Sequence, residues 1–328
     1  MNKTKKFHFR KLLYSQWFIL LLIVIAISAI TTAVNPKFLT SRNLIAILNQ
    51  VSALALVAAG ANIMIASGHF DISVGAVIGL SACSMAMLII AGVNEILVFV
   101  VGVSISVVCC TLNGALSIAL NAPSFIITMA TTSVYNGIAL LMTKGVLQMI
   151  TGKFRFFSGT KIFGNISVMI VVAVITYIII YCVMKYTQTG RQIYAIGANP
   201  VAAYLSGINV NRSKLKFFAM DGILVGVAAA MFLSRLGSAL PSSGNGMEMD
   251  AMGAVVIGGT PISGGKGSVA GTLLGVLLIG LISNSLNMMR VDAYYQDIAS
   301  GLLIIMALAI SALRMKLASL NKKLDEEN

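Results

Sequence analysis

The feature that most restricts this chain is a succession of apolar stretches, most of them about 20 residues long, separated by short polar breaks. A helix rises about 1.5 Å per residue, so each such stretch matches a hydrocarbon layer roughly 30 Å thick. Inside that layer no water is present to satisfy peptide groups, and a helix is the element that satisfies its own. The stretches are too long and too uniform for the alternating strands of a membrane barrel. Runs and breaks place ten spans near 14–34, 44–66, 71–92, 96–120, 123–143, 165–187, 217–236, 248–262, 268–289 and 293–313. The predicted fold is an all-α polytopic membrane protein of about ten transmembrane helices. It comprises a basic tail (1–13), one transmembrane domain (14–313) with a long polar loop at 188–216, and a second tail (314–328). The eighth span is short and Gly-rich, so a broken or re-entrant helix stands beside a full crossing as its reading. The N-terminus has the basic start and apolar run of a signal peptide, but the run is long enough to span and more spans follow, so it is an uncleaved first helix.

Composition agrees. Of the 328 residues 58% are hydrophobic and 10% charged, with a mean hydropathy of +0.94. Soluble domains carry about 25% charged residues, and 10% could not cover a water-exposed surface. The formal charge of +13 would suggest nucleic acid for a soluble protein. Here the basic residues lie between apolar stretches and in both tails, where lipid head groups and membrane orientation account for them, and nucleic acid is not an expected partner. With both termini in the cytoplasm, fifteen of the 23 Lys and Arg fall inside, as positive-inside orientation requires. One outer loop, carrying Lys144, Lys153, Arg155 and Lys161, runs against the rule. Cys83, Cys109, Cys110 and Cys182 lie in apolar runs without metal or redox spacing and read as small buried hydrophobes. No metal ligand set is expected.

Residues 71–79, DISVGAVIG, and 250–258, DAMGAVVIG, form a faint repeat. They open the third and eighth spans. An offset of five spans makes the copies antiparallel, a 5+5 inverted repeat as in many transporters, although short Gly/Ala/Val strings also recur by chance in membrane proteins.

The longest polar stretch, 188–216, is cytoplasmic in this orientation and contains a designed short helix. Asn199 caps it, Pro200 suits its first position, and Gly207 can take the left-handed conformation that ends it. Arg191, Arg212, Lys214 and Lys216 flank it. A passive connector needs only about four to six residues.

Three segments carry a family resemblance. GRQIYAIGANPVAAYLSGI (190–208) resembles the cytoplasmic signature of the permease subunits of sugar-importing ABC transporters of the ribose, xylose and galactose type. GHFDISVGA (68–76) and MEMDAMGAVVIGGTPISGGKGSVAGTLLG (247–275) resemble two further segments of that family, in the same order. His69, Phe70, Ala198, Met247, Met249 and Met252 depart from its usual residues. The resemblance implies a bacterial inner-membrane permease that pairs with a second permease subunit, docks a cytoplasmic ATPase and receives a small sugar from an extracytoplasmic binding protein. ATP and Mg would sit on the ATPase, and this chain would bind no cofactor. The implied ATPase-coupling residues are Gly190, Arg191, Tyr194, Ala195, Gly197, Asn199, Pro200, Ala202, Ala203, Ser206 and Gly207, with Ala203 meeting the ATPase closely. Branched-chain amino acid permeases share the general layout and remain a second substrate class.

GGTPISGGKGS (258–268) is not a phosphate-binding loop. With Lys266 as its lysine, Thr260 stands where Gly is needed and Gly267 where Ser or Thr is needed. The string reads as a tight turn between spans, and no ATP hydrolysis is expected here. No nucleophile–base pair or paired-carboxylate spacing points to catalysis. Candidate residues along a translocation path are Asp71, Ser73, Gly75, Asn113, Glu248 and Asp250, because ionisable groups in spans default to function. Asp221 and Asp297 read as interfacial acids satisfied by water. An ion-coupled secondary transporter is the rival class, and the lack of a central carboxylate cluster to couple to a cation argues against it.

The orientation is testable. Reporter fusions at residues 40, 155 and 240 should report the outer side, and fusions at 200 and 320 the cytoplasm; an outer signal at 200 contradicts the assignment.

Overall fold

The computed structural model describes residues 16–162 and 164–292, with single positions at 295, 298, 301, 302 and 305. The predicted tenth span, Asp297 and both tails lie largely or wholly outside the described residues. The helices are α1 (Gln16–Val34), α2 (Ser41–Ala66), α3 (Val74–Ile90), α4 (Glu95–Ala119), α5 (Ser124–Thr143), α6 (Phe156–Gly159), α7 (Val168–Tyr186), α8 (Gln188–Ala198), α9 (Pro200–Leu205), α10 (Val210–Leu236), α11 (Met247–Ile257) and α12 (Val269–Met288). Each of the first nine predicted spans contains one of these helices. Six of them, α2, α4, α5, α7, α10 and α12, are long and apolar enough to cross a membrane, and the chain is a polytopic helical membrane protein.

Two helices differ from a plain crossing. α3 has 17 residues, about 25 Å, and α11 has 11, about 16 Å. Both fall short of roughly 30 Å of hydrocarbon. Backbone that is not α-helical precedes each, at 67–73 and 238–246, and the second includes a 3₁₀ turn at Pro241–Gly244. The short eighth span is therefore a broken element. A further difference lies in the polar loop: α8 fills its first third, and α10 begins at Val210, so Arg212, Lys214 and Lys216 are already helical. Asn209 makes this start, its side chain accepting from the Arg212 amide.

α10 is the central helix, packed along α4 and against α2 and α3; α11 and α12 close on α2 from the other side. Small residues set the spacing of the closest crossing. A Cβ at Gly222 would stand 2.7 Å from Val107 Cα, and one at Gly226 2.7 Å from Val103 Cα. Without a hydrophobic drive between helices in lipid, such close packing supplies the attraction. Polar pairs add to it: Asn62 Nδ2 donates to Thr260 Oγ1 (2.9 Å) and Thr272 Oγ1 (2.6 Å), tying α2 to the α11–α12 turn and α12. Asn43 and Asn284 join α2 to α12 the same way. Two small ladders, β1 (Gln148–Met149) with β4 (Ser238–Ala239) and β2 (Lys161–Ile162) with β3 (Ile166–Ser167), lie in the connecting segments.

Gly222→Val should force α4 and α10 apart, with overpacking costing about 1–3 kcal/mol. A lowered melting temperature in detergent is expected, whereas Gly137→Val, where nothing lies within 4 Å, should melt like the parent chain.

Candidate translocation and coupling site

Two features adjoin in the bundle: the 67–73 turn with the start of α3, and the 188–208 segment with the glycine turn after α11. At the turn, backbone freed from helix finds side-chain partners on α5. The Phe70 amide donates to Ser124 Oγ (3.0 Å) and the Ile72 amide to Thr128 Oγ1 (3.1 Å). Asp71 Oδ1 accepts from the Ser73 amide (2.8 Å) and hydroxyl (2.6 Å). Asn113 Nδ2 on α4 lies 2.8 Å from Ser73 Oγ and 3.4 Å from Asp71 Oδ2. The Tyr135 hydroxyl on α5 sits 2.9 Å from Asn113 Oδ1 and 3.0 Å from the Cys109 carbonyl. Asp71, Ser73 and Asn113, three of the candidates from sequence, thus form one buried network.

Asp221 belongs beside them, which corrects its reading as a water-satisfied interfacial acid. It is 1% exposed. One of its carboxylate oxygens, one of Asp71's and the Cys110 sulfur lie within 4.8 Å of one another. Gly60 on α2 provides the room, since a Cβ there would stand 2.0 Å from Asp221 Oδ1. The expectation that no carboxylates cluster inside the spans is corrected with it. Tyr135, Cys110 and Asp221 were missed; the signal available was an acid deep in an apolar run, flanked by Gly222 and Gly226.

One turn further along α3, the other candidates meet a different partner. A Cβ at Gly75 would lie 2.3 Å from Glu248 Oε2 and 2.6 Å from the Gly244 carbonyl; one at Gly79 would lie 2.0 Å from the Pro241 carbonyl. Advancing along α3 from 75 to 79 retraces the other chain from 244 to 241. The N-terminal turns of α3 and α11 therefore touch, and the two helices lead away from each other. Glu248 and Asp250 stand in the first turn of α11, where the helix dipole favours carboxylates. Only glycine at 75 permits this contact. Glu248 Oε1 accepts from the Gly246 amide (3.2 Å).

The 188–208 segment is built as the sequence implies. Asn199 Oδ1 accepts from the Val201 and Ala202 amides, both at 3.0 Å, and Gly207 closes α9 at φ +83°. Arg191, Asn199, Pro200, Ala202, Ser206 and Gly207 are exposed, Gly190 is buried, and Tyr194, Ala195 and Gly197 are half-buried. Ala203 requires a correction. It is 4% exposed and turned into the chain, while Val201 (66%), Tyr204 (69%) and Leu205 (79%) form the open face of α9. On a helix of six residues, the inward and outward sides alternate within a single turn, which sequence spacing alone does not assign.

Behind α9 lies a joint of glycines. A Cβ at Gly197 would stand 2.0 Å from the Ala66 carbonyl and 2.6 Å from the Gly265 amide; one at Gly264 would stand 3.1 Å from both the Gly197 carbonyl and the Gly68 amide. The Gly265 amide donates to the Ala66 carbonyl at 3.0 Å. The segment carrying α9 thus abuts the turn before α3 and the turn after α11 at once.

The architecture is a helical bundle with two broken helices meeting by their N-termini and a short-helix segment, 188–208, keyed to both. Residues 43–308 match the family described as the permease component of branched-chain amino acid transport systems. The ribose import permease RbsC of Bacillus subtilis is 37% identical over 94% of this chain and 96% of its own length. The Escherichia coli K12 RbsC is 31% identical (88% and 92%), and its D-allose transport permease AlsC 35% (92% of each). No solved structure matches. The chain belongs to this family of ABC importer permeases, multi-pass proteins of the inner membrane that are not themselves enzymes, ATP hydrolysis being carried out by a separate ATPase.

Gly197→Val would place a branched side chain against two backbones at the glycine joint. Membrane insertion should be unchanged while uptake falls at least 10-fold; uptake at the parent rate would show that the joint tolerates separation.

Proposed function

We propose that this chain is the membrane permease of an ATP-driven importer for a ribose-like monosaccharide, with α9 as the element through which the ATPase acts. The observation that carries the coupling role is the exposed apolar face of Val201, Tyr204 and Leu205 on a short helix that follows directly from α8, whose Gly197 abuts the turns of both broken helices. Three exposed large apolar side chains on one short helix are costly unless a partner covers them. Motion imposed on α9 reaches the start of α3 and the end of α11 through contacts with no side chain to yield, so both broken helices would respond together. The relatives named for ribose, allose and fructose favour a sugar over the amino acids in the family's description.

The finer architecture follows the same logic. Ten spans with both termini in the cytoplasm put α9 and the 258–268 turn on the ATPase side. The repeat of 71–79 and 250–258 is supported by what the copies do, since each begins at a broken helix and the two helices start from a common contact. The path for the sugar runs past that contact, where Gly75, Glu248 and Asp250 lie, with Asp71, Ser73 and Asn113 holding the 67–73 turn. Partners are a cytoplasmic ATPase carrying ATP and Mg, a second permease subunit, and an extracytoplasmic sugar-binding protein.

The test is reconstitution in vesicles with the ATPase and binding protein encoded beside it, using labelled ribose, allose, fructose and leucine. ATP-dependent uptake of ribose or a close sugar is expected; leucine uptake would support the amino-acid reading, and uptake by this chain alone under an ion gradient would overturn the ABC reading. Leu205→Glu should remove an apolar contact of about 1.5–3 kcal/mol, a roughly 10- to 150-fold loss of ATPase affinity, and uptake with it. Lys37→Glu, an exposed charge change in another loop, should leave co-purification of the ATPase intact.

A further inference from the structure

The Asp71–Asp221 pair has a hydrogen-bond inventory that is lopsided. Asp71 receives three donors: the Ser73 amide and hydroxyl and Asn113 Nδ2. Tyr135 donates toward Asn113, Asn113 toward Ser73, and Ser73 to Asp71, so the chain of hydroxyl and amide donors converges on one carboxylate. Asp221 receives none. Both of its oxygens are buried and lack a hydrogen-bond partner among the described residues.

Two negative charges within 4.8 Å, one of them without a single donor, are not stable in a helix bundle. An unpaired buried ion costs more than any other common defect, and like-charged carboxyls at this range titrate as a pair that retains a proton. No Lys or Arg is ion-paired with either acid among the described residues. A cation from solution is the remaining means of neutralisation, and the inventory distinguishes its kind. A metal ion would compete with three donors for the lone pairs of Asp71 and would need the Cys110 thiol without its proton. A proton needs only an acceptor, and Asp71 is the anion at hand. Gly60 is what admits the Asp221 carboxyl beside it, since a Cβ there would stand 2.0 Å from Oδ1.

We infer that Asp221 is a proton-binding site: it stands in the bundle as a carboxylic acid and shares its proton with the Asp71 carboxylate. The shared proton ties α10, the central helix, to the turn from which α3 starts, between α2 and α4. Asp221 is thus a positioning residue for the broken helix, and this assignment does not depend on which solute the permease carries.

Infrared spectroscopy of the full chain in nanodiscs at neutral pH tests it, using protein labelled with ¹³C in the aspartate carboxyls and compared in H₂O and D₂O. A protonated-carboxyl carbonyl band that shifts with both the label and D₂O is expected, lost in Asp221→Asn and retained, at a shifted position, in Asp71→Asn. Absence of such a band in the unsubstituted chain overturns the proposal, and this arm does not require any variant to fold. A band that survives Asp221→Asn, or vanishes in Asp71→Asn, places the proton elsewhere and also overturns it. So does a metal ion found by elemental analysis at one per chain and missing from Asp221→Asn, since the cluster is then a metal site.

Discussion

Peptide groups inside hydrocarbon must find partners within the protein, and the structure is arranged around the two places where helix does not supply them. At 67–73 the amides of Phe70 and Ile72 turn to Ser124 and Thr128. At 238–246 the Leu240 amide takes Ser243 Oγ and the Gly237 carbonyl accepts from the Ile150 amide. Non-helical backbone at membrane depth persists only when buried in protein in this way. α5 is therefore fixed against α3, and the β1–β4 ladder lies against the second break, because those partners are needed there.

From the breaks follow the closest contacts between elements. Shortening α3 and α11 brings their first turns together, with dipole ends aimed at one place, and glycines at 75 and 244 let the backbones touch. The same breaks expose two turns on the side of α9, where Gly68, Gly197, Gly264 and Gly265 replace side chains by direct backbone contact. A joint with no flexible side chains transmits displacement rather than absorbing it, as expected of close-packed interiors.

The buried acids show how polar groups in a membrane protein divide labour. Asp71 is held by three donors and organises a turn. Asp221, a few ångströms away, has no donor at all. Both lie where a soluble protein would supply water, and here the bundle supplies either a partner or, by our inference, a proton.

Much of this was legible in the residues. Run length and hydrocarbon thickness determine the rough limits of the helices in the first nine apolar runs, and Asn199, Pro200 and Gly207 determine α9, because caps and left-handed glycines act locally. The shortness of the eighth span and the misfit of its glycine string to a phosphate loop were also local facts. Three things were not. That Asp221 stands against Asp71 depends on the crossing of α10 with the 67–73 turn, 150 residues apart in sequence, so its neighbourhood has no local signature. That Ala203 points inward while Val201, Tyr204 and Leu205 point out depends on how a six-residue helix is docked, not on its composition. That Gly75 meets Gly244 and Glu248, and Gly197 meets Ala66 and Gly265, depends on two broken helices folding toward each other. The sequence by itself determined which apolar runs are helical and where caps and glycines end α9, since those are matters of hydrogen bonds within a few residues. Only the tertiary structure decided which polar groups are left without partners and which glycines are contacts, since both depend on what the rest of the chain brings to them.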